Sequence, residues 1–298
     1  MKRLILTGAT GMIGSTIVEQ AIQKNIECTC IVRKGSSRID NLPKSDYVKI
    51  LECDICDYNS LKISSGYDCF IHLAWEKTFG SDRDNPQLQL NNIQYTLDAV
   101  KLAKRAGCSV FIGAGSQAEY GIQSVDLTPE LAVNPESGYG IAKYTAGKLS
   151  KMLCDQLGIR FNWLRILSVY GKKDNPHTLI SYVINELKNA RSPELTKCEQ
   201  DWDYIYCEDA ARAFIAVAEN AVAGKTYPLG GGKGRKLSEY LVDIRNIIAP
   251  NVELGFGKKQ YYPHQPMHLV ADISELTEDT GWKPQIDFSD GIRKIIKE

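Results

Sequence analysis

The sequence predicts an α/β fold, a doubly wound parallel sheet carrying a smaller C-terminal α/β lobe. Three observations carry that expectation. The chain opens on an apolar run, KRLILTG, that ends in a glycine turn and passes straight into a helical pattern. Strand-like and helix-like segments then alternate as far as about residue 170, which calls for parallel strands joined by right-handed crossovers. With 298 residues, the chain is long enough for one large or two moderate domains around a substantial core.

Each element has its own local reason. From Met12 to about Lys24, the apolar residues Ile13, Ile17, Val18, Ala21 and Ile22 recur at helical spacing. KRLILTG suits a buried parallel strand, and CTCIV, YVKILECD and YDCFIHLAW read as three further strands. A helix is expected from about Asn91 to Lys104, on Ile93, Leu97, Val100, Leu102 and Ala103, and it closes at Ala106-Gly107. SVFIGAGS is the next strand, followed by a Gly- and Pro-containing loop and a helix from about Ser137 to Leu157 that Gly158 stops. IRFNWLRIL follows as a strand. Beyond about Tyr170 the alternation loosens into a helix near 178–189, a strand WDYIY, a helix over 208–220, a strand TYPLG, and helices near 237–248 and 291–297. We therefore expect a dinucleotide-binding domain over residues 1–170 and a substrate lobe over 171–298 whose chain returns to the main sheet.

Composition excludes several classes. Lys plus Arg equals Asp plus Glu at 36 each, so no global field attracts nucleic acid or an anionic membrane. No apolar run approaches the roughly 20 residues that span a bilayer. The nine cysteines are odd in number and scattered, unlike a disulfide scaffold, and Cys53-x-x-Cys56 lacks the second pair a zinc site needs. The expectation is a cytoplasmic protein with reduced cysteines and no metal.

Gly8, Gly11 and Gly14, with Thr10, Met12 and Ile13 in the same segment, lie between the first strand and the first helix. Such a turn uses glycine for tight geometry and close approach to a pyrophosphate, whose charge suits the helix start. At the end of the second strand stands Arg33, with Lys34, Ser36, Ser37 and Arg38 after it. An acid there would pair with a free ribose 2′-hydroxyl, whereas a guanidinium favours a 2′-phosphate. NADP is the expected cofactor, and NAD the alternative.

Tyr139 and Lys143, in YGIAK, follow Ser116 by 23 and 27 residues. A phenol alone is a poor base near neutrality, with a pKa of about 10. A lysine one helical turn later shares its face, and its charge is expected to lower the phenol's pKa.

These features resemble the extended short-chain dehydrogenase/reductase superfamily: the Rossmann-like glycine turn, Asp54 after the third strand, HLA at 72–74, Asn91, Ser116, and Tyr139 with Lys143. RILSVYG (165–171), WDYIYCEDAARAF (202–214) and TGWKP (280–284) extend the likeness through the second half, within the nucleotide-sugar epimerase, dehydratase and ketoreductase branch. The resemblance implies that Asp54 and Ile55 hold the adenine, and that Leu73, Ala74 and Lys77 line the pyrophosphate and nicotinamide-ribose path. It implies that Asn91 supports the cofactor, that Lys143 bonds the nicotinamide ribose, and that Ser116 and Tyr139 serve a substrate carbonyl. Trp75, Gln117, Glu119, Arg165, Ser168 and Arg212 are candidates for contact with a nucleotide sugar, although Ser168 stands where many relatives have a phosphate-contacting asparagine. Trp202, Tyr204 and Tyr206 suit either base stacking or core packing.

The same resemblance orders the reactions. Related 4,6-dehydratases place an Asp-Glu pair directly after the catalytic Ser or Thr, whereas Gln117 and Ala118 stand there in this chain. Reduction at carbon 4 is the expected chemistry, with 4-epimerisation on a retained NAD(P) as the first alternative and a non-catalytic NADP sensor as the second. A homodimer through the Tyr139 helix and its neighbour is also expected.

Overall fold

The structure, a computed structural model, describes residues 1–297. The first part of the chain runs β1 (Arg3–Thr7), α1 (Met12–Gln23), β2 (Glu27–Val32), β3 (Val48–Glu52), β4 (Cys69–His72), α2 (Pro86–Arg105), β5 (Val110–Ser116), α3 (Gly138–Leu157) and β6 (Arg160–Ile166). Then follow β7 (Ser168–Tyr170), α4 (Leu179–Lys188), β8 (Asp201–Trp202), β9 (Tyr204–Tyr206), α5 (Cys207–Asn220), β10 (Thr226–Leu229) and β11 (Arg235–Lys236). The chain ends with α6 (Leu237–Ile248), β12 (His268–Leu269), α7 (Ser274–Thr280) and α8 (Phe288–Ile296).

The seven-stranded main sheet has the order β10-β6-β5-β4-β1-β2-β3, and every pairing in it is parallel. Strand order reverses between β1 and β4, so the crevice for a ligand opens beyond their carboxyl ends. One apolar layer gathers around α1 and α5, with Ile17, Val18, Phe214 and Val217 buried; the other gathers around α2 and α3, with Val100, Leu102, Ala146 and Cys154 buried. The chain does return to this sheet: β10 pairs with β6 as an edge strand, where Pro228 lacks a donor on only one side. α5 packs on α1, so residues beyond 170 complete the main core as well as building the small lobe.

Three elements differ from the sequence expectation. α2 begins at Pro86, five residues before Asn91, because the Asn85 side chain accepts from the Gln87 and Leu88 N–H groups and proline occupies the first helical position. Its first turn is polar and hides the apolar period. WDYIY is two strands broken at Asp203, whose carboxylate accepts N–H groups from Gly231, Gly232 and Ala271. The short helix α7 was not anticipated. Among the described residues, no helix is long and apolar enough to cross a membrane.

α3 lies unusually close to the sheet. A Cβ on Gly140 would stand 2.3 Å from the Ala118 carbonyl oxygen, and one on Gly147 would stand 2.9 Å from the Trp163 ring. Trp163 itself lies across β5, where Cβ atoms on Gly113 and Gly115 would meet the indole at 2.1 and 2.3 Å. Gly113→Ala should therefore overpack this slot and cost about 1–3 kcal/mol, read as a fall in urea midpoint at unchanged m. An unchanged midpoint would show that the indole is free to move.

Candidate active site

The glycine turn sits at the point where strand order reverses. Gly8 adopts φ 69°, and a Cβ there would lie 2.9 Å from the Ala74 nitrogen and the Leu73 carbonyl carbon. Gly14 is packed against the Gly8 carbonyl, which a Cβ would meet at 2.3 Å. The turn closes through Gly11 N–H to Gly8 O at 3.1 Å, and the first turn of α1 carries no acidic residue. Thr10, Met12 and Ile13 line this turn, with the Thr10 carbonyl held by the Asn41 side-chain amide at 2.9 Å. A bare backbone surface at a positive helix start fits a dinucleotide pyrophosphate.

Ser116, Tyr139 and Lys143 come together one strand further along. Ser116 ends β5, where its hydroxyl accepts the Ala118 N–H at 3.2 Å and shares a side-chain hydrogen bond with the Tyr139 phenol. Tyr139 and Lys143 lie one turn apart on α3, whose start is capped by Ser137 accepting from Gly140 N–H at 3.0 Å. The Lys143 ammonium donates to the Ala114 carbonyl at 2.7 Å and stands 3.8 Å over the Trp75 ring. Trp75 meets Tyr139 edge-on at 5.9 Å.

The electrostatics depart from the simple expectation. Burial raises the Tyr139 pKa; the Ser116 hydrogen bond and the Arg83 guanidinium, 4.7 Å over the ring, act the other way. Burial also pushes Lys143 down to about 7, against the opposing pull of Glu119. The lysine thus titrates near neutrality, and the Arg83 guanidinium eases phenol ionisation. Beneath them His72 is held neutral by burial and by Lys143, with its pKa lowered to about 3 and its Nδ1 bonded to the Thr7 hydroxyl at 2.8 Å.

Other expected residues divide. Arg33 is exposed just beyond β2 and has no ion pair among the described residues. Asp54 and Ile55 begin a short 3-10 turn, with Asp54 accepting the Lys34 N–H at 3.3 Å. Lys77 turns away to pair with Asp82 at 3.0 Å. The Asn91 side chain accepts from Gln87, at 3.5 Å, and the inward residue is Asn92: buried, it grips the Glu76 N–H and C=O at 2.9 and 3.0 Å. Gln89, likewise buried, accepts from the Trp75 indole at 3.0 Å and so fixes the loop after β4. Gln117 follows Ser116 on the rim, partly exposed. Glu119 and Arg165 are not on the substrate side; they form a buried ion pair at 2.8 Å. Arg212 pairs with buried Asp209, which also caps the Gln285 and Ile286 N–H groups, and it lines neither of the two larger cavities.

Ser116 is in register with Ile166, and immediately beyond β6 opens a cleft of about 630 Å³. Ser168 lies on its wall, accepting from the Trp202 indole at 2.8 Å. His177 and Lys259 are the only basic side chains on that wall among the described residues. Tyr170 and Tyr204 also line this cleft, and with Tyr206, Tyr240 and Phe288 they form one aromatic cluster.

The model of the NAD dependent epimerase/dehydratase family matches residues 4–230. The chain belongs to that family. A putative UDP-glucose 4-epimerase from Methanocaldococcus jannaschii is 25% identical over 98% of this chain and 97% of its own. A dTDP-4-dehydro-6-deoxyglucose reductase from Escherichia coli is 24% identical, over 99% and 96%. Among solved structures, a UDP-N-acetylglucosamine 4-epimerase from Methanobrevibacter ruminantium superposes with a TM-score of 0.90 at 25% identity, covering 99% of this chain and 97% of that one. Family membership makes this protein a nicotinamide-dependent enzyme of the extended short-chain dehydrogenase/reductase type.

The buried lysine gives a measurable pH signature. Between about pH 7 and 10.5 the unfolded chain holds a proton on Lys143 that the folded chain has lost, so stability rises with pH across that window. Wild type should gain on Lys143→Met from pH 7 to pH 10 in urea unfolding without cofactor, and below pH 7 the gap between them should stay constant. A gap independent of pH would place the ammonium in a solvated setting.

Proposed function

We propose that this enzyme reduces a 4-keto nucleotide sugar at the expense of NADPH, using Ser116, Tyr139 and Lys143. The observation that carries the choice of reaction is Arg33, an exposed guanidinium without an ion pair among the described residues at the end of β2, where recognition of a ribose 2′-hydroxyl would use a carboxylate. Gly8, Gly11 and Gly14 with the start of α1 would hold the pyrophosphate, Asp54 and Ile55 the adenine end, Leu73 and Ala74 the path between, and Lys143 the nicotinamide ribose. When bound, the nicotinamide supplies the hydride.

The protein's part is proton delivery and charge stabilisation. The Ser116 oxygen accepts from Ala118, and its own proton, shared with the Tyr139 phenol, would pass to the substrate oxygen. Tyr139 gives that oxygen a proton as general acid. Lys143, titrating near neutrality, replaces the proton on the phenol, and Arg83 above the ring tempers the transient phenolate. Burial around the phenol keeps water from quenching the exchange. The cleft beyond β6 suits the nucleotide end: Trp202 offers a stacking face, and the wall includes Thr178, Leu179 and Ile180 at the positive start of α4, which favours phosphate.

Dehydration is disfavoured. Neither Gln117 nor Ala118 exchanges protons near neutrality, and the Glu119 carboxylate is committed to three donors. Epimerisation is the second reading, favoured by the 4-epimerase relatives and the close superposition on one of them. A homodimer also fits: Ile141, Leu149 and Met152 are exposed along one face of α3, and Leu90 is exposed on the adjacent α2. Sedimentation should give twice the chain mass.

An NADPH-oxidation screen against 4-keto-6-deoxy sugar nucleotides tests the reading. Turnover is expected with NADPH, and Tyr139→Phe should lower kcat at least a hundredfold. Arg33→Ala should raise the NADPH KM about tenfold while leaving NADH unchanged. Interconversion of 4-hydroxy epimers with no NADPH consumed would replace reduction by epimerisation. Failure of both would remove the proposed chemistry.

A further inference from the structure

Beneath Ser116 lies a buried polar assembly that the proton relay does not use. Glu119 is 1% exposed, and its Oε1 accepts both the Ser116 backbone N–H and the Trp163 indole N–H at 2.9 Å. Its Oε2 accepts from Arg165 Nε at 2.8 Å. Ser116 returns the contact through Ala118 and Glu119, forming a reciprocal capping box over a single 3-10 turn. Arg165, 5% exposed, packs its guanidinium 4.4 Å over the Tyr120 ring. Room for the indole comes from the glycines of β5 and α3, since side chains at Gly113, Gly115 or Gly147 would strike it.

A buried ion pair of this kind is weak evidence for stability, because desolvating two charges offsets much of their attraction. Fold support alone would be met as well by apolar packing. What the carboxylate does uniquely is fix the Ser116 backbone while placing a negative charge near the relay. We propose that Glu119, held by Trp163 and Arg165, is a positioning residue that orients the Ser116 hydroxyl and fixes a buried negative charge against the Ser116 backbone.

The electrostatic half has a definite sign. Lys143 is faced by neutral His72 from β4, by Trp75 from the following loop, by the Ala114 carbonyl of β5, by Tyr139 on its own helix, and by the charge of Glu119. Arg83 lies over the Tyr139 ring. Against burial, the Glu119 charge favours the ammonium, as do the Ala114 carbonyl it donates to and the Trp75 ring it stands over. Removing the Glu119 charge leaves Arg165 buried and unpaired, which moves Lys143 further the same way. Removing both charges together should recover part of the shift.

The kinetic part of this inference rests on the proposed roles of Ser116, Tyr139 and Lys143; the ionisation part does not. The test accordingly has two readouts. Lysine labelled with 13C at Cε and observed by NMR would follow Lys143 directly in the cofactor-free wild type, in Glu119→Gln and in Glu119→Gln/Arg165→Met, with Lys143→Met assigning the signal. The Lys143 midpoint should fall by about one pH unit in the single variant and recover partly in the double one. Should Glu119→Gln not fold, the double variant and Trp163→Phe, which keeps the carboxylate but loses the indole donor, carry the comparison. In steady-state NADPH oxidation, Glu119→Gln should lose about tenfold to a hundredfold in kcat at unchanged KM, with its alkaline limb moved to lower pH. An unmoved Lys143 midpoint overturns the electrostatic role, and unaltered kcat in a wild type that turns over overturns the positioning role. A wild type without turnover counts against the proposed function alone, and the NMR result still decides the charge effect.

Discussion

Everything at the site depends on how closely α3 approaches the end of β5. That approach exists because Gly140 lies against the Ala118 carbonyl and Gly147 against the Trp163 ring, where any side chain would intrude. With the helix seated so low, the Lys143 side chain reaches the Ala114 carbonyl at 2.7 Å instead of running out to solvent. The same seating lets the phenol one turn earlier meet the Ser116 hydroxyl. Distance between helix and sheet, set by missing side chains, becomes the distance between proton donors.

Burial follows from that geometry and sets the chemistry. The phenol and ammonium are desolvated together, and desolvation pushes their pKa values apart from the ordinary ones in opposite directions, up for Tyr139 and down for Lys143. The two therefore move toward a state in which both are neutral. A proton passed between them separates charge in a dry setting, so the fixed charges nearby matter more than they would in water. Arg83 above the phenol and the buried Glu119 carboxylate each stabilise one member of the charged pair.

How far the sequence disclosed this differs by residue. The glycine turn and the strand order were legible because they rest on local period and backbone geometry. Ser116, Tyr139 and Lys143 were legible as a spacing. Asn91 rested on the family resemblance, which carries no sign of the helix phase; the buried set Gln89, Asn92 and Thr96, at i, i+3 and i+7, reveals it and puts Asn92 inward. Arg212 and Arg165 looked available because a charged side chain is normally exposed. Their partners differ in visibility: Asp209 is a neighbour on the same helix, whereas Glu119 is 46 residues from Arg165. One signal for Glu119 was present, since Ser116-x-x-Glu119 is a capping-box pattern, but it described a helix start where there is only one 3-10 turn.

The locked carboxylate also bears on why one fold serves several reactions. Reduction and epimerisation need the same donor set, a hydroxyl, a phenol and an ammonium around one carbonyl oxygen, and they differ in whether the dinucleotide leaves between turnovers. Dehydration needs further groups that can exchange a proton beside the sugar. In this chain the carboxylate nearest that position lies below the serine, facing an indole and a guanidinium, with both oxygens occupied. Freeing it would leave Arg165 without its counter-ion in a site where its Nη1 already has no hydrogen-bond partner among the described residues. That cost, several kcal/mol for an unpaired buried charge, holds Glu119 in place.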